Sequence, residues 1–355
     1  MSKGHGFFDH TPDSLRQWCV DHSLPGHTAN QLMDWVYRKR VVDPQQMTNL
    51  SRDHRALIEA ALPIDEGRTI REQTASDGTQ KLLIQWPTES TQLPIAGAAP
   101  ATETVMIPAG ERRTACVSSQ VGCPVGCRFC ASGIGGLEGN LSAGRIVEQA
   151  HRLGRLSTGP ISNVVFMGMG EPLANYAEVI KAITAINAPW GMGIGARRIT
   201  VSTVGLPVAI RRLAEFPIAV TLALSLHAPD DHLRRELIPW AEHATINEIL
   251  SACNDYFNAT GREITIEYLL LRGVNDRTRH ARQLADLARS LRCNVNLIRY
   301  NEVDGLPYRR PIDEDVLLFQ QTLRDGKVNA HIRASRGRDI SAACGQLRRE
   351  TAASK

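Results

Sequence analysis

Gly122-Cys123-Pro124-Val125-Gly126-Cys127-Arg128-Phe129-Cys130 is the stretch on which the reading of this chain turns. Its three cysteines form a C-x-x-x-C-x-x-C loop directly after a strand pattern. Thiolates are the ligands of iron-sulfur clusters, and a cubane has four irons, so three ligands this close hold three irons and leave the fourth open. A zinc site would need a fourth Cys or His nearby, usually arranged as two pairs, and no Cys or His lies between Cys130 and His151. Three unrelated core cysteines would not explain the flanking glycines and Pro124. The loop therefore reads as a cluster site with Cys123, Cys127 and Cys130 as ligands.

Working outward, the loop opens a long alternation of strand and helix patterns. Strand candidates are 115–119, 164–167, 199–202, 220–226, 264–270, 295–299 and 331–334, with amphipathic stretches at 143–153, 176–186, 246–258, 278–291 and 313–323. Such alternation implies parallel strands joined by crossover helices. The expected fold class is α/β, a partial (β/α)6-type TIM-like barrel with function at the C-terminal strand ends. Before it, residues 1–67 carry helical periodicity and read as an N-terminal helical accessory domain, with Trp18, Trp35 and Tyr37 as core. Residues 68–110 read as a small β-hairpin and linker around Asp77-Gly78, with a Pro/Ala/Thr-rich loop over 87–101. The barrel is assigned to 111–347 and a C-terminal tail to 348–355.

Bulk composition narrows the setting. The chain has 355 residues, with Lys+Arg 41 against Asp+Glu 37 and a formal charge of +4, which permits a local nucleic-acid patch but does not argue for one. The arginine pairs 112–113, 197–198, 211–212, 309–310 and 348–349 are scattered rather than gathered in one run. No apolar run approaches the roughly 18–20 residues of a membrane helix, and residues 1–10 lack the apolar core of a signal peptide. A cytoplasmic protein without membrane association is expected. In that reducing setting the 8 cysteines read as metal ligands, catalytic thiols or small core residues.

An open iron can chelate the amino and carboxylate groups of S-adenosylmethionine (AdoMet) and pass an electron to its sulfonium, giving methionine and a 5′-deoxyadenosyl radical. Phe129 is placed to shield such a cluster. The apolar strand Val164-Val165-Phe166-Met167 runs into Gly168-Met169-Gly170-Glu171-Pro172, where glycine allows close backbone approach and Glu171 can accept from an amino group. His227 ends the fourth strand, at the functional rim. Gly191-Met192-Gly193-Ile194-Gly195 follows no strand and reads as a connection. Cys116 lies on the first strand and Cys344 in a small-residue loop after the last. A barrel brings its first and last strands together, so both thiols could face the cofactor, although small buried residues are the alternative. Cys19, Cys253 and Cys293 read as core.

With these residues in view, the chain resembles the radical AdoMet adenosine methyltransferases of 23S ribosomal RNA, of the RlmN and Cfr type, and more closely the former. The resemblance runs along nearly the whole chain through Cys116-Val117-Ser118-Ser119-Gln120-Val121-Gly122-Cys123, Phe166–Pro172, Ser225-Leu226-His227-Ala228-Pro229, Gly273-Val274-Asn275-Asp276 and Ala342-Ala343-Cys344-Gly345-Gln346-Leu347. It implies a 4Fe-4S cluster and two AdoMet molecules. Gly170, Glu171, Ser202, Ser225, Leu226, His227 and Asn301 would contact the cofactor. It further implies that Cys344 carries a methyl group, that Cys116 resolves a covalent RNA–protein adduct and leaves a disulfide, and that Glu103 is the general base. The partners implied are 23S rRNA, tRNA as a further substrate, and a reductant such as flavodoxin, with a monomer expected. Carbon 2 of adenosine is the expected target. Carbon 8 is the nearest alternative, favoured by Arg299-Tyr300 before Asn301, whereas Val121 and the N-terminal domain favour carbon 2. A non-catalytic iron-sulfur RNA-binding protein is the alternative of a different class. Gly139, Ser341 and the segment around Thr28 depart from the family pattern.

Overall fold

The structure is a computed structural model that describes residues 6–88, 99–157 and 159–347. The 348–355 tail, with its arginine pair, and most of the 87–101 loop lie outside the described residues. Three short helices come first, α1 (Pro12–Asp21), α2 (Thr28–Met33) and α3 (Arg52–Ala61). Thr11 and Ser14 start α1 with a reciprocal capping box and Pro12 takes its first turn, where a missing N–H costs nothing. Leu32, Val36 and Tyr37 are buried while Trp18 and Trp35 are half-buried against them. Lys39 stands over the Trp35 ring at 3.7 Å.

Strands β1 (Arg68–Thr74), β2 (Gln80–Gln85), β3 (Ala101–Ala109) and β4 (Arg112–Cys116) pair antiparallel in sequence order. Then follow β5 (Gln120–Gly122), β6 (Leu137–Asn140), α4 (Ala143–Leu156), β7 (Asn163–Phe166), α5 (Tyr176–Asn187), β8 (Ile199–Thr203), α6 (Pro207–Ala214) and β9 (Thr221–Ser225). The chain continues as α7 (Asp231–Leu237), α8 (Ile246–Thr260), β10 (Ile264–Leu270), α9 (Thr278–Ala288), β11 (Cys293–Arg299), α10 (Asp313–Asp325) and β12 (Ala330–Ile332).

One ten-stranded sheet runs β1-β2-β3-β4-β7-β8-β9-β10-β11-β12. From β4 onward the pairings are parallel, so β4 and β7 to β12 form the expected partial barrel. It stays open, because β12 pairs only with β11 and β4 is already taken on its other side by β3. The hairpin is not a separate appendage: β1 to β3 extend the barrel sheet itself. The strand residues are apolar on both faces, as in β9, where Leu222, Ala223 and Leu224 are all fully buried; helices cover one face and cavity-lining groups meet the other. Helix α8 shows how local sequence fixes these covers. A Thr245–Glu248 capping box starts it and left-handed Gly261 ends it, as expected for a glycine beyond a helix C-terminus.

The first parallel strand ends at Cys116, earlier than the 115–119 pattern suggests. Residues beyond it leave the ladder because the Ser118 amide donates to the Gln149 side chain at 2.8 Å and the Ser119 amide to the Met169 carbonyl at 2.9 Å. The ribbon of β5 and β6, absent from the sequence reading, brackets the cysteine loop. Gly122 is required there: at φ +73° a Cβ would lie 2.0 Å from the Gly136 carbonyl oxygen. The N-terminal helices dock on α4, where His151 bonds the Val36 carbonyl at 2.8 Å and Asp9 accepts from the Gly144 amide at 2.6 Å.

Candidate active site

The C-terminal ends of the parallel strands surround a cavity of about 160 Å³ that opens to solvent. Cys123, Cys127 and Cys130 line one wall, and Gly170, Glu171, Ser202, Ser225, His227 and Cys344 line the rest. All three loop thiols are free. Burial pushes Cys123 up to about 12. Burial and then the neighbouring Cys130 and Cys123 thiols push Cys127 well above the usual thiol range, and burial raises Cys130. Thiols crowded so that each resists ionising need a cationic metal centre to become ligands. Among the described residues no three His, Cys, Asp or Glu side chains are grouped to hold a single metal ion. Three thiols spread along one cavity wall, with room in front of them, fit a cubane that leaves one iron facing the cavity.

Glu171 sits opposite. Its carboxylate accepts from the Leu173 amide at 3.0 Å and the Val204 amide at 2.8 Å, and its own amide donates to the Gln120 side chain at 2.8 Å. Burial raises its carboxyl to about 7 against the lowering effect of those bonds. Gly170, at φ +101°, lets the turn pass β5: a Cβ would lie 2.7 Å from Gln120 Cβ. The Ser202 and Ser225 hydroxyls meet at 3.2 Å on neighbouring strand ends. His227, at φ +59°, accepts at Nδ1 from the Leu269 amide at 3.1 Å, which leaves the proton on Nε2. Burial and then Arg234 hold its ring neutral, lowering it to about 3. Phe129 packs edge-on to it with centroids 5.2 Å apart.

Four of the sequence-picked residues stand outside this cavity. Leu226 is fully buried in the core, its amide donating to the Glu267 carbonyl at 3.1 Å and its carbonyl accepting from Arg234 at 3.3 Å. Asn301 is buried and donates to the Cys344 carbonyl at 3.3 Å, so it holds the Cys344 loop rather than the cavity wall. Cys116 is buried against Ala342 and Leu347 of that same loop, and burial, then Cys344, push its thiol up to about 12. The two thiols are thus neighbours, both free, with only Cys344 facing the cavity. Glu103 lines a second, polar cleft of about 90 Å³ with Lys81, Ser341 and Gln346. There Lys81 Nζ pairs with Glu103 Oε1 at 2.7 Å, both side chains almost wholly buried, and also reaches the Ser341 carbonyl at 3.4 Å.

The Cys344 loop is pinned from several sides. Asp77 of the hairpin turn accepts from the Gly337 amide at 3.1 Å, Asp339 accepts from the Ser76 amide at 2.8 Å, and Ser132 donates to the Leu347 carbonyl at 2.6 Å. Sequence reasoning missed Lys81, Glu267 and Arg333. Arg333 pairs with Glu267 at 3.2 Å in the main cavity, and Cys344 and Glu267 raise its already high basicity. A charged residue inside an apolar strand run, as at Lys81 and Glu267, was the available signal.

A partial barrel whose first loop presents three thiols to a cavity, with a buried acid at the second strand end, defines a radical S-adenosylmethionine enzyme. Residues 117–285 match the Radical SAM superfamily, and residues 6–64 match the ribosomal RNA large subunit methyltransferase N-terminal domain. A Gloeobacter violaceus protein is 43% identical over 96% of this chain and 94% of its own length. A Thermotoga maritima protein is 44% identical over 92% of each. Both carry the name probable dual-specificity RNA methyltransferase RlmN. A crystal structure of a radical SAM methyltransferase from Sphaerobacter thermophilus superposes with a TM-score of 0.91 at 42% identity, covering 97% of this chain and 99% of that one. The chain belongs to the RlmN family of radical SAM RNA methyltransferases. Its cofactors are accordingly a 4Fe-4S cluster and S-adenosylmethionine. Among the described residues no helix is long and apolar enough to cross a membrane.

Proposed function

We propose that this chain methylates carbon 2 of an adenosine in 23S ribosomal RNA, and of tRNA as a second substrate, through a methyl group carried on Cys344. The observation that carries this reading is the pairing of Cys344, at the cavity, with Cys116 buried behind the same loop. A lone radical generator has no need of two further thiols beside it. Cys123, Cys127 and Cys130 would hold the cluster, and Gly170, Glu171, Ser202, Ser225, His227 and the Leu226 backbone would hold AdoMet. Asn301 keeps Cys344 in place. When bound, cluster and AdoMet supply a radical able to take hydrogen from a methyl group.

The thiolate of Cys344 accepts a methyl group from one AdoMet. After losing a hydrogen atom, that methyl carbon bonds to the electron-poor adenine carbon, which cannot be methylated by a simple electrophile. The adduct would give its unpaired electron back to the bound cluster and lose its ring proton to Glu103, which lies in the neighbouring cleft beside Lys81 and would be reached from there. Cys116 then attacks the Cys344 sulfur and breaks its bond to the methylene carbon; the released electron pair takes up a proton to complete the methyl group, freeing the RNA and leaving a Cys116–Cys344 disulfide that a reductant must reopen. The target adenine has to leave its stack to reach the cavity. The relatives' dual-specificity name supports a second RNA, and a cytoplasmic monomer served by a reductant such as flavodoxin suits this work.

The test is anaerobic reconstitution followed by assay with 23S rRNA fragments, tRNA and isotopically labelled AdoMet, with mass spectrometry locating the label. Label on carbon 2, with methyl-Cys344 in the resting enzyme, is the expected result. Arg299, part of the carbon-8 resemblance, pairs with Asp313 at 3.3 Å. Label on carbon 8 would overturn the regiochemistry. A Cys116→Ala enzyme should trap a covalent RNA adduct; normal turnover without one would refute the two-thiol reading.

A further inference from the structure

Arg234 on α7 is 1% exposed. Its guanidinium donates to the Leu226 carbonyl at 3.3 Å and to the Val204 carbonyl. No carboxylate forms an ion pair with it among the described residues. Asp230 is occupied capping α7 at the Leu233 amide, 2.9 Å away, and Asp231 accepts from the Ile246 amide at 2.8 Å. A guanidinium taken out of water without a counter-ion is strongly disfavoured, and two neutral carbonyls compensate only in part. The helix that carries it packs on the cysteine loop. Leu233 and Leu237 of α7 pack in one apolar cluster with Cys127, and the Leu237 carbonyl accepts from the Arg128 amide at 3.0 Å. Burial lowers Arg234 to about 10, opposed by Cys127 and then Asp231.

We propose that Arg234, on the helix packed against the cysteine loop, is the internal counter-cation of the iron-sulfur cluster and favours its reduced form. Reduction adds a negative charge to a centre already bearing three thiolates, so a fixed cation beside it stabilises the reduced state more than the oxidised one. The two carbonyls that anchor the guanidinium belong to the strand ends of the cofactor cavity. The Val204 amide serves Glu171, and Leu226 stands between Ser225 and His227. The charge is thereby fixed relative to both cluster and AdoMet. Its nearness also helps keep His227 neutral. Arg234 is in this sense a positioning residue, and the inference is independent of which RNA carbon is methylated.

The test is an EPR-monitored redox titration of anaerobically reconstituted enzyme without RNA, comparing wild type, Arg234→Gln and Arg234→Lys. Arg234→Gln should hold about tenfold less reduced cluster at a fixed potential, a shift of about 59 mV to lower potential for one electron. Arg234→Lys, which keeps the charge, should recover most of it. An unchanged midpoint in Arg234→Gln at wild-type iron content would overturn the proposal, as would equal shifts in both variants. Denaturant unfolding of the iron-free chains separates charge from scaffold. Arg234→Met should be no less stable than wild type there, since it removes a burdensome unpaired cation; unfolding of the iron-free variant alone would show that the hydrogen bonds are what matters and sink the idea.

Discussion

Replacing Glu171 with Gln isolates one carboxylate against the cofactor. Two amides, from Leu173 and Val204, already point at its oxygens at 3.0 and 2.8 Å. A glutamine can accept only one of them well and presents an NH2 group to the other, leaving a buried N–H unsatisfied at a cost of about 1–3 kcal/mol. Loss of a hydrogen bond from the AdoMet amino group to an ionised acceptor removes about 1.5–3 kcal/mol, roughly a ten- to hundredfold weaker Kd. The pH dependence gives a second reading. With its carboxyl raised to about 7 in the cofactor-free chain, Glu171 goes from roughly one-tenth to nine-tenths ionised between about pH 6 and 8. Binding to the carboxylate should therefore strengthen about tenfold across that interval in wild type beyond whatever Glu171→Gln shows. Comparing the two at each pH cancels titration of the cofactor's own amino group. Anaerobic calorimetry of AdoMet binding to the reconstituted enzyme measures both effects. A Kd within about threefold of wild type with the same pH slope would refute the assignment of Glu171 to the cofactor.

Other perturbations probe the supports of the site. Lys81→Met removes the buried cation paired with Glu103 at 2.7 Å and should lower stability by about 3–5 kcal/mol in denaturant unfolding, part of it recovered in the Lys81→Met, Glu103→Leu double variant. Gly170→Ala forces a Cβ to within 2.7 Å of Gln120 at a left-handed φ, so it should lower the melting temperature and weaken AdoMet binding together; wild-type binding would show that the turn has slack. His151 has its folded value lowered from 6.5 to about 4 by burial. Its contribution to stability is therefore full above about pH 6.5 and is lost as pH falls toward 4, by up to about 3 kcal/mol. His151→Gln, which can still donate to the Val36 carbonyl, should flatten that part of the stability profile measured by urea unfolding.

How far the sequence carries is clearest from the cysteines. Spacing alone lets Cys123, Cys127 and Cys130 be read as a cluster loop, because ligand reach along a short chain is a local property. The strand–helix alternation likewise marks the barrel, since a buried parallel strand reads as an apolar run wherever it occurs. The glycines at 122 and 170 were visible as residues, but the reason for them, a carbonyl or side chain where Cβ would sit, is a contact across the fold.

What only the tertiary structure decided concerns partners distant along the chain. Cys116 and Cys344 are far apart in sequence, and it is the sheet and the pinned loop that make them neighbours, with one thiol at the cavity and the other behind it. The same loop brings Ser341 to Lys81, so that Glu103 faces a polar cleft beside the cofactor cavity and not the cavity itself. Arg234 carries no local signal; its meaning comes from being buried on the helix that packs on the cysteine loop, with no ion-paired carboxylate among the described residues. Local spacing can specify what a ligand set binds. Burial and charge compensation depend on everything packed around a group, and that is settled only when the chain is folded.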